Sequence, residues 1–305
     1  MQQQNILITG ANGMLGQKLV DLFVSKPEYN VLYTSFGASR LNPSYKINFQ
    51  ILDVSNKEAV KKMVSEFNPD VIIHCAAMTH VDGCEDDKDR CWALNVHAVQ
   101  YFVDAIADSK TKFIHISTDF VFDGTSSLPY LENHAVNPLS AYGMSKKESE
   151  DVLKNSKINY TILRTSFVYG VLWDNSRSNF VLWSKSSLEQ GKEINVIADQ
   201  HRAPTFAEDL AKACFQAMEK DVKGMYHVVG PETFSILDLI KQVAEFWNLD
   251  QKLILPTLTQ NLNQKAKRPL HTNLSIEKAR SDFGYAPISY RESLNIIEKQ
   301  LNTKS

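Results

Sequence analysis

Tyr142 and Lys146 stand four residues apart in Tyr142-Gly-Met-Ser-Lys146. On a helix that spacing puts both side chains on one face. An ammonium beside a phenol lowers the phenol's pKa from its reference near ~10. The tyrosine then becomes an acid that can hand a proton to a carbonyl oxygen as a hydride arrives. Alone, the spacing recurs by chance. Here two further pieces precede it. Ser117-Thr118-Asp119 closes an apolar run, and Gly10-Ala-Asn-Gly13-Met-Leu-Gly16 follows the first apolar run of the chain. In that order the three read as one nicotinamide-dependent site.

The glycine segment has the spacing G-x-x-G-x-x-G. Gly10 permits a tight turn off a strand, Gly13 lets backbone approach a pyrophosphate, and Gly16 allows helix–strand packing. Asn12, Met14 and Leu15 complete this turn and the start of its helix, whose free N–H groups and positive dipole end suit phosphates. An acid after the second strand would bind a ribose 2′-hydroxyl. The stretch Thr34-Ser-Phe-Gly-Ala-Ser-Arg40 has none. Arg40, with Ser35 or Ser39 as hydroxyl donors, is instead suited to a 2′-phosphate. NADP(H) is therefore the expected cofactor, with NAD(H) left open. Asp53 and Val54, after the third strand, are expected at the adenine edge, with Ser55 and Asn56 better suited to cap the next helix.

These pieces need a scaffold, and the pattern supplies one. Strands are expected at Ile6–Thr9, Val31–Thr34, Lys46–Leu52, Val71–His74, Phe113–Ile116 and Tyr160–Leu163. Helices are expected at about Leu15–Ser25, Lys57–Phe67, Asp87–Ser109 and around Tyr142. Alternation of this kind argues an α/β fold, a doubly wound parallel sheet with helices on both faces. After about Thr165 the pattern loosens. Val222–Val229, a helix over Ser235–Trp247 and Ser289–Leu301 are expected in a smaller lobe. The chain divides on this reading into a dinucleotide-binding domain, residues 1–165, completed by parts of the later chain, and a mainly substrate-binding lobe, residues 166–305.

The bulk properties agree. The chain has 305 residues, room for such a pair of units, and a net charge of -2, without the basic field that nucleic acid would call for. Cys75, Cys84, Cys91 and Cys214 form no C-x-x-C pair and read as reduced core thiols, and no metal is expected. Met1-Gln-Gln-Gln-Asn5 has no charged or apolar leader character, and no run is long enough to span a bilayer. A cytoplasmic protein without membrane partners is expected.

The chain resembles the extended short-chain dehydrogenase/reductases, and among them the dTDP-4-dehydrorhamnose reductase family. The resemblance spans nearly the whole chain. It rests on Thr9–Gly16, Cys75-Ala-Ala-Met-Thr-His-Val-Asp82, Ser117-Thr-Asp-Phe-Val-Phe-Asp-Gly124 and Tyr142–Lys146. It continues in Arg164-Thr-Ser-Phe-Val-Tyr169, Ala203-Pro-Thr205, Glu208-Asp-Leu-Ala211 and Arg268-Pro269 with Asn273-Leu274.

The resemblance implies a Rossmann-type sheet with a smaller C-terminal α/β lobe, and NAD(P)H-dependent reduction of a 4-keto-6-deoxy sugar nucleotide. It makes Tyr142 the proton donor and Thr118 a hydrogen-bond donor to the substrate carbonyl. Lys146 would hold the nicotinamide ribose and depress the tyrosine pKa. Cys75, Ala76 and Ala77 would let backbone pass close to the cofactor. Thr79, Val81, Ser117 and Asp119 would face the sugar. Arg268 would contact the nucleotide diphosphate, a role for its planar fork. A homodimer is compatible with the family.

The chain departs from the family pattern at Phe120, often tyrosine, and Phe167, often tryptophan; both stay in the substrate set as apolar walls. Leu172-Trp-Asp-Asn-Ser-Arg177 looks like a variable insertion. A sugar-nucleotide 4,6-dehydratase would carry a glutamate where Phe120 stands, and a 4-epimerase usually departs from this Ser-Thr-Asp-Phe form. A reading of another class is a non-catalytic NADP-binding regulatory subunit, like that of methionine adenosyltransferase, which shares much of this motif set.

Overall fold

The structure, a computed structural model, describes residues 3–174 and 178–303. The end of the insertion-like stretch, 175–177, lies outside the described residues. The first half alternates strand and helix: β1 (Gln4–Thr9), α1 (Met14–Val24), β2 (Tyr29–Ser35), β3 (Asn48–Ile51), α2 (Lys57–Phe67), β4 (Val71–His74), α3 (Val81–Asp86), α4 (Lys88–Trp92), a π-helical turn at Ala93–His97, α5 (Ala98–Ile106), β5 (Lys112–Thr118), α6 (Ala141–Lys154) and β6 (Asn159–Thr165). The later chain adds β7 (Val168–Tyr169), α7 (Phe180–Glu189), β8 (Ile194–Ile197), β9 (His201–Arg202), β10 (Thr205–Phe206), α8 (Ala207–Glu219) and β11 (Gly224–His227). It ends with β12 (Phe234–Ser235), α9 (Ile236–Phe246), β13 (Ile254–Thr257), β14 (His271–Thr272), α10 (Glu277–Phe283) and α11 (Tyr290–Asn302).

Seven strands form one parallel sheet in the order β11-β6-β5-β4-β1-β2-β3. Apolar runs such as Ile6-Leu7-Ile8 and Val71-Ile72-Ile73 are buried on both faces, as a helix-covered parallel sheet requires. Ile6 and Ile8 join a core that includes Leu19 of α1 and Leu210 and Cys214 of α8, while Leu7 and Ile72 face one with Val60 of α2 and Phe102 of α5. The strand order reverses between β1 and β4, and the crevice outside their C-terminal ends is where a doubly wound sheet binds its ligands.

Two expectations are corrected. The strand within Val222–Val229 does not join the smaller lobe. β11 pairs with β6 over Gly224↔Thr161 to His227↔Arg164 and closes the main sheet as its seventh strand. Its neighbour is set by a long-range pairing that no local pattern reports. The helix expected over Asp87–Ser109 is also interrupted. Its middle is π-helical, and that turn carries the buried Asn95. The smaller lobe packs α7, α9 and α11 with the parallel pair β8–β13 around Leu188, Ile240, Val243 and Leu294.

The sheet is tied to α6 by a buried ion pair. Arg164 on β6 meets Glu150 on α6 at 2.8 Å (Nε to Oε1) and 2.6 Å (Nη2 to Oε2), and both residues are within 1 % of full burial. Breaking a buried pair from one side strands the other charge. Glu150→Ala is therefore expected to lower unfolding stability by about 3–5 kcal/mol. Urea denaturation measures this; a loss below about 1 kcal/mol would mean that water reaches Arg164.

Candidate active site

A cleft of about 810 Å³ opens at the switch point. Its floor begins where β1 ends. Gly10 has φ +69°, and a Cβ there would lie 2.7 Å from the backbone nitrogen of Ala76, so only glycine lets the two loops approach so closely. Gly13 caps α1 with no side-chain hydrogen bond, and the first turn carries no acid. The N–H groups of that turn, near Met14, Leu15 and Gly16, are thus left for an anion. Asn12 acts on the loop after β2. Its Nδ2 donates to the Ala38 carbonyl and its Oδ1 accepts from the Arg40 amide, both at 2.9 Å. The Arg40 side chain is 41 % exposed at the cleft, 3.7 Å from Asp174.

Asp53 and Val54 line the same end. Asp53 accepts from the Ser55 amide and hydroxyl, while Asn56 caps α2 through Ala59 N. Phe36, 76 % exposed, and Arg90 of α4 also line the cleft, and the sequence reading had picked out neither. Cys75, Ala76 and Ala77 form the wall after β4, with Thr79 and Val81 beyond. Burial pushes the Cys75 thiol up to about 12, so it is a neutral wall. Asn95 holds this loop: it accepts from Met78 N at 2.8 Å and donates to Ser145 Oγ at 2.9 Å on α6. A buried asparagine in an otherwise amphipathic helix was the available signal for it.

Ser140 caps α6 through the Gly143 amide. A Cβ on Gly143 would sit 2.3 Å from the Phe120 carbonyl, so the helix packs directly on the turn that follows Thr118. This brings Thr118, Tyr142 and Lys146 to the cleft together. The expected depression of the tyrosine is corrected. Burial raises the Tyr142 pKa, and the Thr118 hydroxyl is the contact that pulls against it. The phenol therefore holds its proton, the form a proton donor requires. Lys146 moves the other way, pushed down to about 8 by burial.

Ser117 and Asp119, expected to face the sugar, line the cleft with hydrogen bonds already made inside the protein. Ser117 donates to Glu150 Oε1 at 2.7 Å. Asp119, 2 % exposed, accepts from Thr118 at 3.1 Å and from Ser166 at 2.8 Å, and is also bonded by Thr272. Arg202, missed in the sequence, lies 3.8 Å from Asp119 and donates to the carbonyls of Pro269 and Leu270. Its guanidinium sits 5.5 Å from the centre of the Phe120 ring. Phe167 lines the cleft with φ +45°, a strained value for a bulky residue, and stacks on Phe180 with centroids 4.3 Å apart.

Arg268 stands apart from this group. Its guanidinium forks onto Asp82 of α3 at 3.2 Å and 2.8 Å, and it is not among the residues lining the cleft. That contact holds the Asp82 carboxyl below its ordinary range. A diphosphate contact from Arg268 would require Asp82 to release the fork. Among the described residues no cluster of three or more His, Cys, Asp or Glu could hold a metal, no helix is long and apolar enough to cross a membrane, and the four cysteines are free thiols.

The sequence profile of the RmlD substrate binding domain matches residues 4–302. The chain belongs to that family. Within it, this RmlD-family chain is 33 % identical to the dTDP-4-dehydrorhamnose reductase of Aggregatibacter actinomycetemcomitans, over 96 % of the chain and 97 % of the relative. It is 32 % identical to methionine adenosyltransferase 2 subunit beta of Xenopus tropicalis, over 89 % and 80 %. A solved dTDP-4-dehydrorhamnose reductase of Bacillus anthracis in complex with NADP superposes with a TM-score of 0.84 at 30 % identity, over 98 % of this chain and all of that one.

If Arg268 serves chiefly to pin the later chain to α3, Asp82 and Arg268 should be coupled. A double-mutant cycle with alanine at each is expected to give about 1–2 kcal/mol of coupling in unfolding, more than an exposed pair. Coupling near zero, with sugar-nucleotide affinity lost in Arg268→Ala alone, would return Arg268 to the ligand.

Proposed function

We propose that the protein is an NADPH-dependent reductase of a 4-keto-6-deoxy sugar nucleotide, with dTDP-4-dehydrorhamnose as the substrate of first choice. The observation that carries this reading is the convergence of Thr118, a proton-bearing Tyr142 and a buried Lys146 on a cleft whose other end is an uncapped helix N-terminus. A small-residue floor, free amides at the start of α1 and Arg40 after β2 fit a dinucleotide with a 2′-phosphate. Bound there, such a cofactor would supply the hydride that a carbonyl carbon needs. The chain's part is to hold and move the proton. Tyr142 gives its proton to the carbonyl oxygen, Thr118 turns its hydroxyl from Asp119 to the same oxygen, and the Lys146 ammonium steadies the phenolate that forms.

The second reading, a non-catalytic NADP-binding subunit, draws on the likeness to the Xenopus methionine adenosyltransferase subunit. NADPH oxidation against a panel of 4-keto-6-deoxy sugar nucleotides separates the two. Turnover supports the reductase; cofactor binding with no turnover across the panel supports the subunit.

Two outcomes are expected of the reductase. Tyr142→Phe keeps cofactor binding and loses reduction by about two to four orders of magnitude, the usual worth of a positioned acid. Near-normal turnover would remove Tyr142 from that role. Arg40→Ala lowers NADPH affinity by about tenfold, the order of one charge-assisted phosphate contact, and leaves NADH affinity in place. An unchanged ratio of the two affinities, by fluorescence titration, would take the 2′-phosphate away from Arg40.

A further inference from the structure

Lys146 is 2 % exposed, and among the described residues its side chain makes one hydrogen bond, to Nε2 of His115 on β5 at 3.0 Å. Among the described residues no carboxylate lies within ion-pair distance of it, and Glu150 acts on it only through its field. Glu150, one turn further along α6, is held by Arg164, Ser117 and Lys154. The other titratable groups around the ammonium and its imidazole partner are His74 and Cys75 at the end of β4, Cys91 on α4 and Tyr142 on α6. Burial keeps both imidazoles neutral; His74 is pushed down to about 3.

His115 Nε2 also lies 3.0 Å from Ser149 Oγ, but that hydroxyl gives its proton to the Lys146 carbonyl at 2.7 Å. Facing a charged lysine, the imidazole accepts through Nε2 and carries its proton on Nδ1; beside a neutral lysine the same nitrogen would donate to the Ser149 oxygen, so the tautomer follows the charge on Lys146. Nδ1 is buried with no partner, so nothing on its far side fixes the tautomer. The ring is held by position instead. His115 pairs with His74 across the strands and stacks on it with centroids 5.8 Å apart.

We propose that His115 is a positioning residue for the reaction, a neutral acceptor that keeps Lys146 charged and held at the cleft face it shares with Tyr142, without cancelling its field. A carboxylate in the same place would hold the ammonium more tightly and screen it from the phenolate. A neutral imidazole satisfies the donor and leaves the charge to act. The proposal deepens the reductase reading and rests on it for its turnover arm alone.

The test uses the intact protein with His115→Phe, which keeps the stacked ring and removes the acceptor, and His115→Gln, which restores an acceptor oxygen. Two readouts are followed across the neutral to alkaline range: reduction rate and NADPH affinity by fluorescence. Wild type is expected to lose both as pH rises through about 8, where Lys146 gives up its charge. Losing an acceptor disfavours the charged form, so in His115→Phe both limbs should move down by about one pH unit, with His115→Gln recovering most of the shift. A merely structural histidine would lower the melting temperature in both variants and move neither limb. Limbs that coincide in all three folded proteins overturn the proposal. Should His115→Phe fail to fold, His115→Asn, whose acceptor is too short to reach, takes its place with the same expected shift. A wild type inactive on every keto sugar nucleotide would fell the reductase reading, and the NADPH arm would still decide the role of His115.

Discussion

An ammonium buried with no carboxylate in contact is costly, and the group answers by giving up its proton more readily. Lys146 is in that position, and much of the surrounding structure can be traced to it. Ser140 starts α6 at the register that puts Tyr142 and Lys146 on the cleft face. Gly143 lets the helix settle on the turn after Thr118. The nearest carboxylate on the helix, Glu150, is drawn off by Arg164 from β6. The lysine is left with an imidazole, a lowered affinity for its proton and a phenol one turn away. On the proposed reaction, such a site would favour a transition state in which the phenol loses its proton, since the buried ammonium then gains an anionic partner.

Polar groups around the cleft differ in whether their hydrogen bonds are already made within the protein. Ser117 and Asp119 line the cleft and Arg202 lies behind Asp119, all three with their hydrogen bonds spent inside the protein. Asp119 and Arg202 join β5, β9 and the segment leading to β14, so the floor of the active site and the later chain are fixed to one another. Arg268 and Asp82 make a second tie between the later chain and α3. A loss of activity on changing any of these would first report on the placement of Thr118 and Phe120.

Local pattern was enough to read the parallel sheet, the glycine turn, and the Thr118, Tyr142 and Lys146 set, because each is a short-range signal: an apolar run, a spacing, a turn. The membership of β11 in the main sheet was not legible, since four residues cannot announce a partner as distant as β6. The family resemblance casts Arg268 as a diphosphate contact; its pairing with Asp82, in an early helix, is a long-range contact that no local pattern reports. The sense of the Tyr142 shift is hidden for a related reason: spacing reports the neighbouring charge, whereas burial, the larger influence, belongs to the assembled fold. His115 was hidden in plain view as one more residue of a strand. Only the packing of α6 on β5 turns its Nε2 toward Lys146.

The central claim is that Lys146 is a buried ammonium held by a neutral imidazole, with no carboxylate in direct contact. Nitrogen-detected NMR on lysine-labelled protein, with the Lys146 resonance assigned by its loss in Lys146→Met, measures it directly. The account predicts that the side-chain nitrogen titrates near 8 in the cofactor-free protein. A midpoint at or above the ordinary lysine value of 10.5 would contradict it.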